Sequence, residues 1–295
     1  MKSVSLIAWK EFSDRFRSGW VIACAAVWLG AIALTSLFGL VQTGKIGLQG
    51  YERTVVSLLN LVQYLVPLLA LLLGHDLIVS EREEKTLALV FASGVSRARV
   101  LLGKFLGGCF TLTFPLVLGF TIAGVVIGLS AGRNGLATFF TLAVSGLVLG
   151  IIFLALGLLI SILCRTRVQA LVLALLTWCV AIFVFDLVAL GVVVATRTNH
   201  AAQQIETSTD ATHVTSVADM HQAFENGADQ APRTSEKTSQ TLFLSLLINP
   251  VDLFRAVNLP GTTQRVPIYA GIFTVSFWIA LSLGAGLWRL RRSDL

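Results

Sequence analysis

Long apolar stretches alternate with shorter polar connections along the chain. Six of the stretches exceed the about 20 residues that a helix needs to cross a bilayer. They predict membrane-spanning helices over residues 20–41, 55–79, 106–129, 136–163, 168–196 and 268–290. A seventh run, residues 242–248, is too short to cross and precedes Asn249 and Pro250. It predicts a segment that dips into the membrane or lies flat on it.

Composition supports this pattern. Hydrophobic residues make up 55% of the chain and charged residues 13%, whereas about 25% charged is typical of a soluble domain. The predicted fold class is therefore an all-α integral membrane protein with six spans. Net charge is +6, without a basic run dense enough for nucleic acid, so the expected surroundings are membrane lipid and the excess lysines and arginines orient the chain.

The N-terminus predicts a helix in the headgroup plane. Trp9, Phe12 and Phe16 recur three and four residues apart, which is typical of an interfacial helix. The charged residues on another face are Lys10, Asp14 and Arg17. The apolar run that follows is longer than the about 7 to 15 residues of a signal-peptide core, so we expect a retained anchor.

Charge places both termini on the same side. The N-terminus, the second and fourth connections and the tail hold 14 of the 22 lysines and arginines. The positive-inside rule therefore predicts cytoplasmic termini in a bacterial-type cytoplasmic (inner) membrane. The predicted layout is an interfacial helix (1–19), five spans (20–196) with a cytoplasmic segment (80–104), an outer loop (197–240), outer re-entrant helices (241–265), and a sixth span with a basic tail (266–295).

The cytoplasmic segment, residues 80–104, is the strongest functional clue, because a connection between spans needs only about 2 to 8 residues. We predict a helix over residues 81–91, a break at Ser93 and Gly94, and a second helix that Ser96 caps. Its charged residues are Glu81, Arg82, Glu83, Glu84, Lys85, Arg97, Arg99 and Lys104. Either it docks a soluble partner or it is a solvated loop that orients its neighbours.

Here the sequence resembles the ABC-2 type permeases. The matching motifs are Glu83-Glu84-Lys85-Thr86-Leu87, Gly94-Val95-Ser96-Arg97 and Gly103-Lys104-Phe105, with Lys85 at a family glycine and Gly94 at a family proline. Further motifs are most similar to the permeases of transporters that mature the copper sites of nitrous oxide reductase. These are Ala8-Trp9-Lys10-Glu11-Phe12, His75-Asp76, Phe185-Asp186, Asn249-Pro250 and Asp252-Leu253-Phe254-Arg255.

The resemblance implies a partner ABC ATPase subunit that binds ATP and magnesium, and a second permease copy in a homodimer. This chain should carry no cofactor and no catalytic residue. Gly103-Lys104 is not a phosphate-binding loop, because Ala98 and Phe105 occupy the positions of the required glycine and magnesium ligand. The predicted ATPase-docking residues are Glu81, Arg82, Glu83, Glu84, Lys85, Thr86, Leu87, Arg97 and Lys104.

Polar residues in the second span predict a pathway face. The residues that share this face, with Gln63 beside it, are Ser57, Asn60, Tyr64, Pro67 and Gly74. Polar groups are disfavoured against lipid, so they would face a pathway or a symmetry mate, unless they serve only interhelical hydrogen bonding. Asp186 in the fifth span should face protein or water, unless it reaches the interface.

Asn249 can cap a helix that has Pro250 at its first position and Asp252 at its third. In the family that the sequence resembles, such elements close the outer end of the pathway, whereas simple anchoring of the outer loop is the alternative. The loop itself, residues 197–240, is too polar to form a core and is a candidate site for an extracytoplasmic partner. Its His200, His213 and His221 are expected to be solvated, since their spacing is weak for a metal site.

Two other functions fit an apolar chain of this kind. An ion-coupled secondary transporter would use broken helices and an intramembrane carboxylate, but it should show an inverted repeat, which this sequence lacks. A non-transporting membrane scaffold would bind partners through its loops. Buried cysteines without C-x-x-C spacing predict neither disulfides nor a metal site.

Overall fold

A computed structural model of the chain describes residues 2–17, 19–41, 48–86, 95–184, 187, 249–258 and 268–292. Every regular element in these ranges is helical, which confirms the all-α prediction there. The helices are α1 (Lys2–Arg17), α2 (Trp20–Val41), α3 (Leu48–Gly74), α4 (Val79–Glu83), α5 (Arg97–Leu163), α6 (Arg167–Cys179), a π-helical stretch (Val180–Val184), α7 (Pro250–Asn258) and α8 (Ile268–Arg292).

The chain forms two compact units. The first comprises Met1–Trp178 and Pro250–Leu295, and the second is Cys179–Asn249. In the second unit the described residues are 179–184, 187 and 249. Residues 185–186 and 188–196 of the predicted fifth span, the outer loop and residues 242–248 lie outside the described part.

Four described helical stretches are long and apolar enough to cross a membrane: Ser57–Glu83, Arg97–Val125, Leu136–Leu163 and Gly271–Arg292. The bent pair Val4–Arg17 and Val21–Thr35 makes a fifth if it is counted as one span. These stretches correspond to the predicted second, third, fourth, sixth and first spans. The predicted fifth span is represented by the shorter apolar helix Arg167–Phe183.

Helix α5 turns back on itself and forms the centre of the first unit. The Phe120 and Phe139 ring centroids are 6.2 Å apart, whereas a straight helix would separate these residues by about 28 Å. Its two antiparallel limbs are the third and fourth predicted spans. α5 packs against α1, α2, α3, α7 and α8.

Glycines set how closely the helices approach. A Cβ at Gly103 would lie 2.7 Å from the Ile7 side chain, and one at Gly107 would lie 2.8 Å from the Ala8 carbonyl oxygen. These two small residues, four apart in α5, therefore allow α1 to pack closely against α5. Gly157 and Ser161, which are also four apart in α5, lie against the end of α3 and the start of α4.

The bend between α1 and α2 follows from Gly19, whose φ of +74° is in the left-handed region that favours glycine. The helices on either side meet at 69°. The side chains of Leu6 and Trp9 in α1 are 69% and 70% exposed, whereas Ala8 is buried. α1 thus exposes large apolar side chains one turn apart, and its position in the headgroup plane stays a prediction.

Candidate functional site

The candidate site lies where α3 ends and α4 begins. α3 stops at Gly74, a turn covers residues 75–78, and α4 follows. His75 and Asp76 thus lie in the turn between α3 and the charged segment. The helix predicted over residues 81–91 is wrong for residues 84–86, because α4 runs Val79–Glu83 and a turn follows it. Residues 87–91 lie outside the described residues.

The start of α4 is held by Ser161 of α5. The backbone amides of Ile78 and Val79 both donate to Ser161 Oγ, at 2.9 Å each. Free amides at a helix start need acceptors, and a local Ser or Thr normally supplies one. Here a fully buried side chain from another helix does so, which fixes α4 to the fourth predicted span.

The end of α4 is set by Lys85, which adopts a left-handed φ of +57°. The Thr86 amide donates to the Glu81 carbonyl at 3.0 Å, and the Lys85 amide to the Arg82 carbonyl at 3.2 Å. These two bonds form a Schellman motif, whose left-handed position is usually glycine. Lys85 occupies this left-handed position, which is the physical reason that α4 ends at Glu83.

Lys104 joins three helices through ion pairs. Its Nζ lies 2.8 Å from Glu11 Oε2 on α1 and 2.9 Å from Glu81 Oε1 on α4, and its side chain is 3% exposed. Arg15 adds a pair to Glu11 at 2.9 Å and donates to the Leu73 carbonyl at 3.1 Å. Burial alone would raise the pKa of Glu11, but Lys104 and Arg15 outweigh it and lower that pKa.

Arg167 forms a second set of ion pairs at the start of α6. It pairs with Asp76 at 3.6 Å, with Glu83 at 3.2 Å, and with Glu84. The Arg167 backbone amide also donates to Glu83 Oε1 at 2.7 Å. A carboxylate at a helix start is favoured by the helix dipole, so Glu83 fixes α6 to α4.

Two of the arginines predicted to dock the ATPase cap the ends of helices in this chain. Arg82 Nη1 donates to the carbonyls of Ile162 and Cys164, at 3.1 and 2.6 Å, where α5 ends. Arg97 Nη1 donates to the Leu290 carbonyl near the end of α8, at 2.5 Å. Cationic side chains are favourable at these positions, because the last helical carbonyls lack partners.

These contacts divide the predicted docking residues into two groups. Glu81, Arg82, Arg97 and Lys104 are turned toward the chain's own helices, and Lys104 is not on the surface. Glu83, Glu84 and Lys85 are exposed, and we name these three residues the acidic turn. Thr86 is half-buried, and Leu87 lies outside the described residues.

A polar cavity of about 720 Å³ opens beside the acidic turn. Acidic and basic residues both line it, including Asp14, Glu84, Lys10 and Arg167, together with His75. Among the described residues, no group of three or more His, Cys, Asp or Glu side chains is arranged to hold a metal ion. Since Lys104 lies inside a continuous helix between two carboxylates, it is not placed as a phosphate-binding lysine.

A second polar cluster lies on α3, α5 and α7. Arg255 Nε donates to the buried Gln63 Oε1 at 2.7 Å, and Asn258 Nδ2 donates to Ser145 Oγ at 2.8 Å. α7 begins at Pro250 with Asp252 in its first turn, as predicted, and Arg255 lies 3.5 Å from Asp252. Asn249 donates to the Ala181 carbonyl at 3.4 Å within the second unit.

The predicted pathway face of α3 is only partly on the surface. Ser57, Asn60 and Tyr64 are exposed, whereas Pro67 and Gly74 are buried. The Tyr64 carbonyl accepts a bond from Trp178 Nε1 at 2.9 Å. Asp186, His200, His213 and His221 lie outside the described residues.

Sequence reasoning missed several residues of the site. Glu11, Ser161, Arg167 and Arg255 carry central contacts, yet none was placed in it. Glu11 had a detectable signal, because Glu11 and Arg15 are four apart in an apolar-faced helix. Ser161 and Arg167 come from positions distant in sequence, and their partners become apparent only in the folded chain.

Comparison with known proteins supports the resemblance. The model of the family described as "ABC-2 family transporter protein" matches residues 5–295. The "Probable ABC transporter permease protein NosY" of Pseudomonas aeruginosa is 29% identical over 297 residues, covering 97% of this chain and 94% of that protein. The protein of the same name from Stutzerimonas stutzeri is 29% identical over 265 residues, covering 88% and 83%.

Proposed function

The chain belongs to the ABC-2 transporter family, and on this premise we propose that it is the permease subunit of an ATP-driven transporter. In this role an ABC ATPase subunit binds ATP and magnesium and hydrolyses the nucleotide. This integral membrane chain provides the path across the membrane and performs no covalent chemistry. Two copies of the chain form the transporter with two ATPase subunits.

The acidic turn carries this proposal. Glu83, Glu84 and Lys85 are exposed at the end of a helix that is fastened at both ends, by Ser161 at its start and by the Schellman motif at its stop. A docking element must be accessible and must also transmit force, so it needs contacts to rigid spans. The ion pairs of Lys104 and Arg167 supply those contacts.

The surfaces of the spans support the transmembrane and dimer assignments. Within the chain, 17% of the apolar part of the stretch Gly271–Arg292 is buried, whereas 67% of the apolar part of Leu136–Leu163 is buried. α8 therefore offers a largely uncovered apolar face to lipid or to a second copy. Asn60 and Tyr64 are polar and exposed on α3, which favours a position at the pathway or the dimer interface, since polar groups are disfavoured against lipid.

The remaining assignments complete the proposal. The proposed six spans would leave both termini on the same side of a bacterial-type inner membrane, and the distribution of basic residues favours the cytoplasmic side. The same proposal includes the predicted domain layout and a gate role for Asn249, Pro250 and Asp252. It also includes a pathway role for Asp186 and an extracytoplasmic partner that binds residues 197–240. A role in metalloenzyme copper-site maturation rests on the motif resemblance.

The proposal is tested by purifying the tagged chain from solubilised membranes and identifying the polypeptides that accompany it. We expect an ATP-hydrolysing subunit whose turnover is inhibited by vanadate. Glu84→Lys, and Glu83→Lys with Glu84→Lys, should release this subunit or uncouple hydrolysis from transport. Glu83→Gln with Glu84→Gln measures how much of the effect comes only from losing the Arg167 pairs.

A matched control reverses charge elsewhere. Glu225→Lys lies in the predicted outer loop and should leave the ATPase bound and active. An ion-coupled carrier or a scaffold predicts the opposite result, namely a chain that purifies without an ATPase, or that binds one without dependence on the acidic turn. Either result overturns the proposed function.

A further inference from the structure

Lys104 occupies an unusual position for a lysine near the end of a membrane bundle. Its side chain is 3% exposed and its ammonium bridges Glu11 of α1 and Glu81 of α4, at 2.8 and 2.9 Å. The three residues belong to three helices, and we name them the Lys104 bridge. A single cation thus holds two carboxylates that come from elements 70 residues apart in the sequence.

Stability alone does not explain this bridge. Removing two carboxylates and a cation from water is costly, and well-packed apolar residues often stabilise such a site equally well. What the ions add is a defined geometry, because the partners must stay within hydrogen-bond distance to keep their charges compensated. When α4 shifts, Lys104 and Glu11 must shift with it or lose that compensation.

The α1 side of the bridge is packed tightly enough to move as one piece with α5. Gly103 and Gly107 leave no room for a Cβ against Ile7, Ala8 and Glu11. Glu11 is further held by Arg15, which donates to the Leu73 carbonyl at the end of α3. Movement of α1 is therefore linked to α5 and to the end of α3.

The two ends of the bridge face different surroundings. Glu81 lies at the base of the exposed acidic turn, whereas α1 exposes Leu6 and Trp9 on the face away from the bundle. The bridge thus connects a surface suited to a soluble protein with a helix whose apolar face suits lipid.

We propose that Lys104 is a positioning residue that transmits movement of the acidic turn to α1 and to the third predicted span. This inference rests on the proposed function, since the movement originates in the ATPase. Lys104 contacts neither nucleotide nor transported substrate, and acts by keeping α1, α4 and α5 in register. Glu11 and Glu81 are its two arms, and cutting either arm removes the ion-pair connection between α4 and α1.

The test uses the complex of the full chain with its co-purifying ATPase in lipid nanodiscs. Amide hydrogen exchange is measured without nucleotide and after trapping with ATP and vanadate. In the natural protein, trapping should change exchange in both α4 and α1. In Glu81→Gln the change should persist in residues 79–86 and be lost from residues 2–17, because the connection between them is cut.

Three further variants separate transmission from folding. Glu11→Gln cuts the other arm and should give the same loss in α1 with Lys104 still paired to Glu81. Lys104→Arg keeps the charge and should transmit as the natural protein does. Asp14→Asn removes an exposed carboxylate one turn along α1 and should leave transmission unchanged.

The outcomes are distinct. If no ATP-hydrolysing subunit accompanies the natural chain, the proposed function fails and the inference fails with it. If the ATPase is present and hydrolyses ATP, but Glu81→Gln and Glu11→Gln still show the trapped change in α1, the inference alone is overturned. A natural complex in which trapping changes α4 and leaves α1 unaltered overturns it as well.

Discussion

Gly74 and Gly157 touch through their backbones. A Cβ at Gly74 would lie 2.9 Å from the Gly157 Cα and 2.8 Å from the Leu154 carbonyl oxygen, and a Cβ at Gly157 would lie 2.9 Å from the Gly74 Cα. The end of α3 therefore meets the fourth predicted span without any intervening side chain. This close approach brings Ser161, one turn further along, to the amides that begin α4.

Replacing Gly157 should test this contact. Gly157→Ala forces a methyl group into backbone atoms, and overpacking of this kind costs about 1–3 kcal/mol. We expect a lower thermal unfolding temperature in detergent and weaker ATPase binding. Gly284→Ala is the matched control, because nothing lies within 4 Å of its Cβ position; a loss of stability as large as that of Gly157→Ala would contradict the account.

Ser161→Ala should destabilise the start of α4. It leaves the amides of Ile78 and Val79 buried without an acceptor, and an unsatisfied buried donor costs about 1–3 kcal/mol. Thermal unfolding and faster amide exchange in residues 78–83 measure the effect. Thr141→Ala, which removes an exposed hydroxyl bonded within its own helix at 3.2 Å, should change stability by less than about 0.5 kcal/mol. Equal effects from the two substitutions would refute the role of Ser161.

Lys85→Gly should stabilise the chain. A side chain in the left-handed region costs about 1 kcal/mol, and glycine removes that cost. The unfolding temperature should rise, while Lys85→Val, which is β-branched, should lower it. If glycine and valine shift the unfolding temperature in the same direction, Lys85 is not the left-handed residue of a helix stop.

The Glu11 contacts predict a dependence on pH. The pKa of Glu11 lies below its ordinary value of 4.5, so the folded state favours the carboxylate. Its contribution to stability is full above pH 4.5 and is lost as the pH falls through the lowered pKa. The difference in unfolding temperature between the natural chain and Glu11→Gln should therefore shrink in acid. A difference that grows as the pH falls would contradict this assignment.

Much of the fold follows from hydropathy, because a bilayer demands long apolar helices. Leu136–Leu163 has the bounds expected from its apolar run, and the predicted second and sixth spans differ from the described stretches by a few residues at their ends. The stretch Arg97–Val125 begins well before the predicted start at residue 106, because the helix continues into the charged segment. Of the aromatic residues in the interfacial pattern, Trp9 is exposed, whereas the Phe16 ring packs against Phe114 of α5. The interfacial role of α1 stays a prediction.

The charged site was less predictable, for two physical reasons. A helix over residues 81–91 has good composition, but Lys85 in a left-handed conformation ends it early, and propensity does not favour lysine there. Charges such as Lys104 and Arg82 also look exposed in a polar segment, whereas the fold pairs them with Glu11 and with the end of α5. Those partners are distant in sequence, so no local pattern identifies them.

Site-specific photocrosslinking from position 84 tests the central claim most directly. A photoreactive amino acid replaces Glu84, the complex is irradiated in native membranes, and the adduct is identified by mass spectrometry. Position 281, on the exposed apolar face of α8, provides the control. We expect an adduct between position 84 and an ATP-binding subunit, and none from position 281. An ATPase that accompanies the chain but gives no adduct from position 84 would contradict the docking role of the acidic turn. Labelling of position 84 by a membrane-impermeant reagent added outside intact cells would contradict it as well.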